Sequence, residues 1–343
     1  MAFDKSYDNT PPTGSGIGNR EQLLDLTTVL APRQAPVYGL LPKQAATADL
    51  VEYTVDNLRT PNADNAVEEG IDVGTSGGAG GSFVAQFGSL TRLGNRLQHF
   101  RDTFNVSKKQ EILDSATPVK VQEAEEKAAS QVLRDIEAAI CSDNVAATGA
   151  SGTSGKMRGL GQWINSSPTA DDVATVPSDF LTQAAAVLSS STEALTEKRF
   201  NGMLTAIFEE TGEQSDHILV AGTTARNEII DGFTRVQTST ATSAGGNSTV
   251  FNQGDGTEIN YNVEIFQGPY GIVKIISANP KCLPNQKRAY LLDPSLLGYA
   301  EALSMGSTML EDQGGGPRGY IDAMGTLLCK GPNGMGKILD FAV

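Results

Sequence analysis

Between Thr117 and Cys141 the chain carries about 24 residues in which Val121, Ala124, Ala128, Val132, Ile136 and Ala139 recur at spacings of three and four. Glu123, Glu125, Glu126, Arg134 and Glu137 mostly fall on the other faces. This is the pattern of an amphipathic helix with one stripe turned to a core. Thr117 supplies an N-cap, and Pro118 takes the first helical position, where its missing N–H is not needed. A helix over 118–141 is roughly 36 Å long at 1.5 Å per residue. That length suits a spine along which other elements pack.

Upstream of the helix, little of the sequence can build a core of its own. Residues 1–20 are polar, with Pro11, Pro12, Gly14, Gly16 and Gly18, and bury too little apolar surface to offset the entropy of ordering. Residues 20–30, REQLLDLTTVL, have helical spacing at Leu23, Leu26 and Leu30, after which Pro32, Pro36 and Pro42 interrupt the chain. Residues 1–45 are therefore expected to order only by crossing onto neighbours. Val51, Tyr53 and Val55 then alternate with Glu52, Thr54 and Asp56, which reads as a strand. Phe100, Phe104 and Val106 alternate again in HFRDTFNVS, read as the returning strand. Between them lie Pro61 and GTSGGAGG, in which five of eight residues are glycine. Two strands closed by so long a loop make a projecting hairpin that needs a partner surface. Val51, Tyr53 and Val55 are the expected contact; Arg92, Arg96 and the lone Trp163 complete the candidate interface.

Past a Gly/Ser break at 149–155 the sequence alternates helix and strand. LTQAAAVLSS and the region around RFNGMLTAIFEE read as helices, HILVAG as a buried strand and TARNEIIDGF as a helix. VEIFQ and GIVKIISA read as strands, and 238–256 as an exposed Ser/Thr/Gly/Asn loop. RAYLLDP, YIDAMGTLLCK and KILDF return to strand character.

The composition argues against chemistry. With 40 acidic against 26 basic residues, the net charge is −14, so the chain is poorly suited to wrapping nucleic acid, although it can enclose it. Cys141, Cys282 and Cys329 form no CxxC pair, and His99 and His217 are too few for a histidine metal site. No signal-peptide core and no apolar run of about 18 residues occurs, so a soluble cytoplasmic chain is expected. Residues 331–337, GPNGMGK, satisfy GxxxxGK, but Ile338 stands where magnesium coordination wants Ser or Thr and no helix follows. A glycine-rich hairpin turn between LLCK and KILDF is the better reading. His99 and His217 lack supporting motifs, and Glu68 with Glu69 or Glu209 with Glu210 read as solvated pairs. No catalytic, cofactor-binding or metal-binding residue is expected, and Trp163 reads as a core or interface anchor.

The order of parts resembles the tailed-phage capsid fold of phage Hong Kong 97, an α+β fold of N-arm, E-loop, P-domain with spine helix, and A-domain. The strings NAVEEG (65–70), TRLGNRLQHFRDTFNVSKKQEIL (91–113), RDIEAAI (134–140), RGLGQWI (158–164), ILVAGTTARNEIIDGF (218–233) and GKILDF (336–341) are similar to the SU-ten-like group of phage major capsid proteins. Near 331–337 the chain departs from the group, with Gly331-Pro332 and Met335 where an Asn-Pro and a histidine are expected. The resemblance divides the chain into an N-arm (1–48), an E-loop hairpin (49–106) and a P-domain (107–175) with spine helix 118–141. An A-domain (176–290) and return strands (291–343) at the A-domain edge and P-domain follow. It implies hexamers and pentamers closing an icosahedral head around double-stranded DNA that is not bound sequence-specifically. Portal, scaffold or cement proteins are implied partners, with no membrane, assembly in the host cytoplasm and residence in the virion. An encapsulin-like compartment shell shares the fold, and a soluble α/β enzyme is the remaining alternative. Some relatives join an E-loop lysine to a neighbour's asparagine, but here Gln44 to Ser107 contains no lysine. Lys43 and Lys108 flank the hairpin base, and Arg59, Arg92, Arg96 and Arg101 cannot substitute because guanidinium stays protonated. A shell without covalent cross-links is expected.

Overall fold

The computed structural model of the chain describes residues 35–58, 90–113, 120–233 and 264–342, with a few more between 61 and 69. The described chain enters as a short helix, α1 (Pro36–Leu40), and a three-residue strand, β1 (Lys43–Ala45). β2 (Leu50–Val55) and β3 (Thr91–Arg96) form the hairpin, with Leu50 opposite Arg96 and Val55 opposite Thr91. β4 (Gln98–Asn105) and α2 (Lys108–Ile112) lead to the spine α3 (Lys120–Ile140), followed by α4 (Leu160–Trp163). Then come β5 (Val187–Ala194), α5 (Glu197–Thr211), β6 (His217–Ala221), α6 (Thr223–Phe233), β7 (Ile265–Gly268) and β8 (Gly271–Ser277). β9 (Ala289–Leu292), β10 (Leu297–Leu310), β11 (Arg318–Cys329) and β12 (Gly336–Ala342) close the chain.

Two sheets carry the architecture. The first has four strands in the order β1-β10-β11-β4, with β1 parallel to β10 and the other pairs antiparallel. α3 lies on it because its stripe of Ala128, Val132, Ile136, Ala139 and Ile140 is buried. That stripe shares one core with Phe100 and Phe104 of β4 and Ile321 and Ala323 of β11. Burying Val132 or Ile136 there contributes about 1.5–3 kcal/mol each.

The second sheet has six strands in the order β5-β12-β9-β6-β8-β7. Its central strands are apolar on both faces, and the period of two sends alternate residues to different cores. Leu219 and Ala221 of β6 and Leu291 of β9 join Phe200, Met203 and Ile207 of α5 and Ile229 of α6. Val220, Tyr290 and Leu292 face the other way, into the core of the spine helix. The two sheets are thus joined through shared side chains.

The structure corrects several expectations. The strand that pairs with β2 is Thr91–Arg96, whereas the Phe100–Phe104 stretch belongs to the four-stranded sheet against β11. LTQAAAVLSS is a 3-10 turn at Ala184–Ala186 running into β5, because pairing with β12 outweighs the helical propensity of the alanines. GPNGMG is a crossover, since β11 lies in one sheet and β12 in the other, with a 3-10 turn at Pro332–Gly334 between them. Residues 35–45 pack on their own subunit: Val37 and Leu41 are buried, and Val37 N and Tyr38 N donate to the Glu137 carboxylate of α3 at 3.0 and 2.8 Å. The Thr117–Pro118 cap, the 20–30 helix and the 238–256 loop lie outside the described residues.

Candidate assembly surfaces

The hairpin projects from a root fixed by three buried polar devices. Tyr53 on β2 points into the subunit, where its hydroxyl donates to Cys329 O and accepts from Cys329 N at 3.0 Å. Burial pushes the phenol pKa strongly up. Asn95 on β3 is fully buried; its amide donates to Arg158 O and Leu327 O at 3.1 and 2.8 Å and accepts from Arg158 N at 2.7 Å. Arg158 holds Asp171 through two hydrogen bonds of 2.7 and 2.6 Å, with its guanidinium 4.4 Å from the centre of the Trp163 ring. A buried pair of this kind resists loss of either partner far more than it adds net stability.

These placements sort the candidate interface residues. Trp163 is 0% exposed and belongs to the subunit's interior. Tyr53 is likewise committed to its own chain, so the expectation that it is buried against a neighbour is corrected. Val51 and Val55 are half-buried. Arg92 reaches Glu52 at 3.6 Å on the hairpin's exposed surface, and Arg96 pairs with Asp49 at 2.8 Å. Sequence reasoning missed Leu58 and Leu90, which stand 91% and 70% exposed where the hairpin leaves its paired strands. It also missed Ile112, Leu303, Met305, Met309 and Leu310, exposed around the spine helix and the outer half of β10. Apolar residues left bare on this scale mark contact surfaces.

Several other ionisable groups are held inside the subunit. Lys337, from GPNGMGK, is buried in β12 and donates to Gly161 O at 2.6 Å, and burial lowers its pKa to about 8. Nearby, Arg288 pairs with Asp143 at 2.5 Å and Tyr290 donates to Cys141 O at 2.7 Å. A Cβ on Gly161 would lie 1.8 Å from Asp143 Oδ1, so glycine permits α4 to close on the end of the spine. All three cysteines are buried thiols, with the pKa values of Cys141 and Cys329 raised by burial. His217 is buried between Ser215 O and Gly334 O, at 3.0 and 3.2 Å. His99 lies on the exposed face of β4 next to Asp322. Among the described residues no three His, Cys, Asp or Glu side chains converge as metal ligands, and no helix is long and apolar enough to cross a membrane.

A sequence model of one protein family, SU10 major capsid protein, matches residues 8–342. The chain belongs to the SU10 major capsid protein family. It is a major capsid protein, a subunit of a virion shell built from many capsid chains. Comparison with curated protein sequences found no match. Among solved structures, the chain is similar to the capsid asymmetric unit of cyanophage A-1(L), at 13% identity and TM-score 0.62, covering 95% of this chain and 98% of that one. The capsid of a native GTA particle is similar at 12% identity and TM-score 0.60, covering 98% and 99%. The SrpI encapsulin complex from Synechococcus elongatus PCC 7942 matches at 10% identity and TM-score 0.53, covering 100% and 97%. The fold is that of tailed-phage capsids, the Hong Kong 97 type.

Proposed function

We propose that the chain assembles as hexamers and pentamers into an icosahedral head that encloses double-stranded DNA, in a purely structural role without catalysis. The observation that carries this reading is the hairpin, fixed at its root by Asn95 and Tyr53 yet exposing Leu58 and Leu90 just beyond its paired strands. Val51, Val55, Arg92 and Arg96 flank that surface and are the residues proposed to meet a neighbouring subunit. The charge of −14 favours enclosing DNA over gripping it. Portal, scaffold or cement proteins would act on the assembled shell in the host cytoplasm. The likeness to SrpI makes an enzyme-filled compartment the second reading. Negative-stain imaging of the purified chain, followed by nuclease treatment and analysis of the particle contents, tests both. Closed particles holding nuclease-protected DNA support the phage head. Protein cargo in particles from the native source would favour the compartment, and a small soluble oligomer would refute both.

A further inference from the structure

An apolar groove of about 760 Å³ runs between the first half of α3 and the outer half of β10, lined by Val121, Ala129, Met305, Met309 and Ile321. β10 is bonded to β11 along its length, but among the described residues its other edge is covered only where β1 meets Tyr299–Glu301. Beyond Glu301 every residue of β10 is exposed, Met305 by 46% and Met309 by 52%. At the opposite end the same gap is filled by α1. There Tyr38 N donates to Glu137 of α3, the Tyr38 hydroxyl donates to Glu301 of β10 at 2.7 Å, and its ring stands edge-on to Tyr299. α1 therefore sits between helix and strand at one end of the groove, and the chain immediately before it is residues 20–34.

The distances fit that segment. Ala129 lies about 12 Å along the spine from Glu137 and Val121 about 24 Å, at 1.5 Å per residue. Residues 31–35 span at most about 17 Å when extended, enough to bring Leu30 to Ala129. Eleven residues with the helical spacing read from the sequence would cover about 16 Å more, past Val121. Leu23, Leu26 and Leu30 would form one apolar stripe, and methionines on the wall adapt readily to such a face. We propose that residues 20–30 dock in the α3–β10 groove of their own chain, so that each subunit covers this surface itself.

The test introduces Leu26→Cys with Met305→Cys in the full-length chain, whose three native cysteines are buried. The dilute, unassembled subunit is oxidised and run on a non-reducing gel. The expected product is an intrachain disulfide, seen as a compacted band of monomer mass, 36.1 kDa, that reductant reverses. Covalent dimers would place the segment in a neighbour's groove and overturn the proposal. So would the absence of any disulfide when Leu23→Cys and Leu30→Cys are also tried. Hydrogen exchange gives an independent reading: Leu23→Asp with Leu30→Asp should speed exchange of the Leu303–Leu310 amides about tenfold or more. Unchanged exchange there would equally refute it. Both readings concern the free subunit and stand apart from what the particles enclose.

Discussion

Replacing Tyr53 separates the root of the hairpin from its contact surface. Tyr53→Phe keeps the ring in the spine-helix core but removes the hydroxyl, leaving the N–H of the fully buried Cys329 without that acceptor. An orphaned buried donor costs about 1–3 kcal/mol. Tyr53→Ala adds a cavity, and aromatic-to-alanine changes in cores cost about 3–5 kcal/mol, so the double loss reaches roughly 4–8 kcal/mol. For a domain stable by about 5–15 kcal/mol, that is a large fraction of the total. Urea unfolding of the unassembled subunit measures it, with Trp163 as reporter: it is the chain's one tryptophan, is 0% exposed, and lies in the same core. The midpoint should fall in the order wild type, Phe, Ala, with the slope unchanged. A Phe variant within about 0.5 kcal/mol of wild type would refute the hydrogen-bond argument. An Ala variant that folds normally but cannot assemble would return Tyr53 to the interface.

Ile136→Asp would put an unpaired carboxylate at a site 1% exposed, costing several kcal/mol, and should abolish soluble expression. Lys337 has a folded pKa of about 8 against an ordinary 10.5, so between these values the unfolded chain binds more protons. Its contribution to stability should therefore rise with pH from about 8 to 10.5, by about 3 kcal/mol, and be lost as pH falls. Subtracting the pH–stability curve of Lys337→Met from that of wild type isolates this rise; a flat difference would remove the buried-charge assignment. Mature particles boiled in detergent should give a single band near 36.1 kDa, because the hairpin lacks lysine and Lys43 is engaged by Glu301 at 2.8 Å. A reductant-resistant ladder would contradict this.

What the sequence made readable depended on how many faces of an element are buried. The spine has one buried stripe, and its three-and-four spacing matches Val132 and Ile136 in the core. β6 is buried on both sides and shows as an unbroken apolar run. β10 carries neither signal: it is buried at Leu297–Ala300, exposed beyond, and shifts register twice between Glu301 and Gly306. Thr91–Arg96 also hides, because its place is set by Asn95 bonding to Arg158 and Leu327, contacts more than 60 residues away in sequence. Leu58 and Leu90 were invisible as surface because exposure is decided by where the strands end.

The two sheets are linked by two short crossings, Asp293–Leu296 and Lys330–Met335, and Lys330 N donates to Leu296 O at 2.8 Å. Two adjacent links stitched to each other behave like the spine of a book. Because Val220, Tyr290 and Leu292 of one sheet share a core with Phe100 and Ile321 of the other, the links and the core together bind the sheets as the covers of a closed book. A load placed on one sheet in a shell is therefore carried into the other through both the chain crossings and the shared core, and the subunit answers its neighbours as one body.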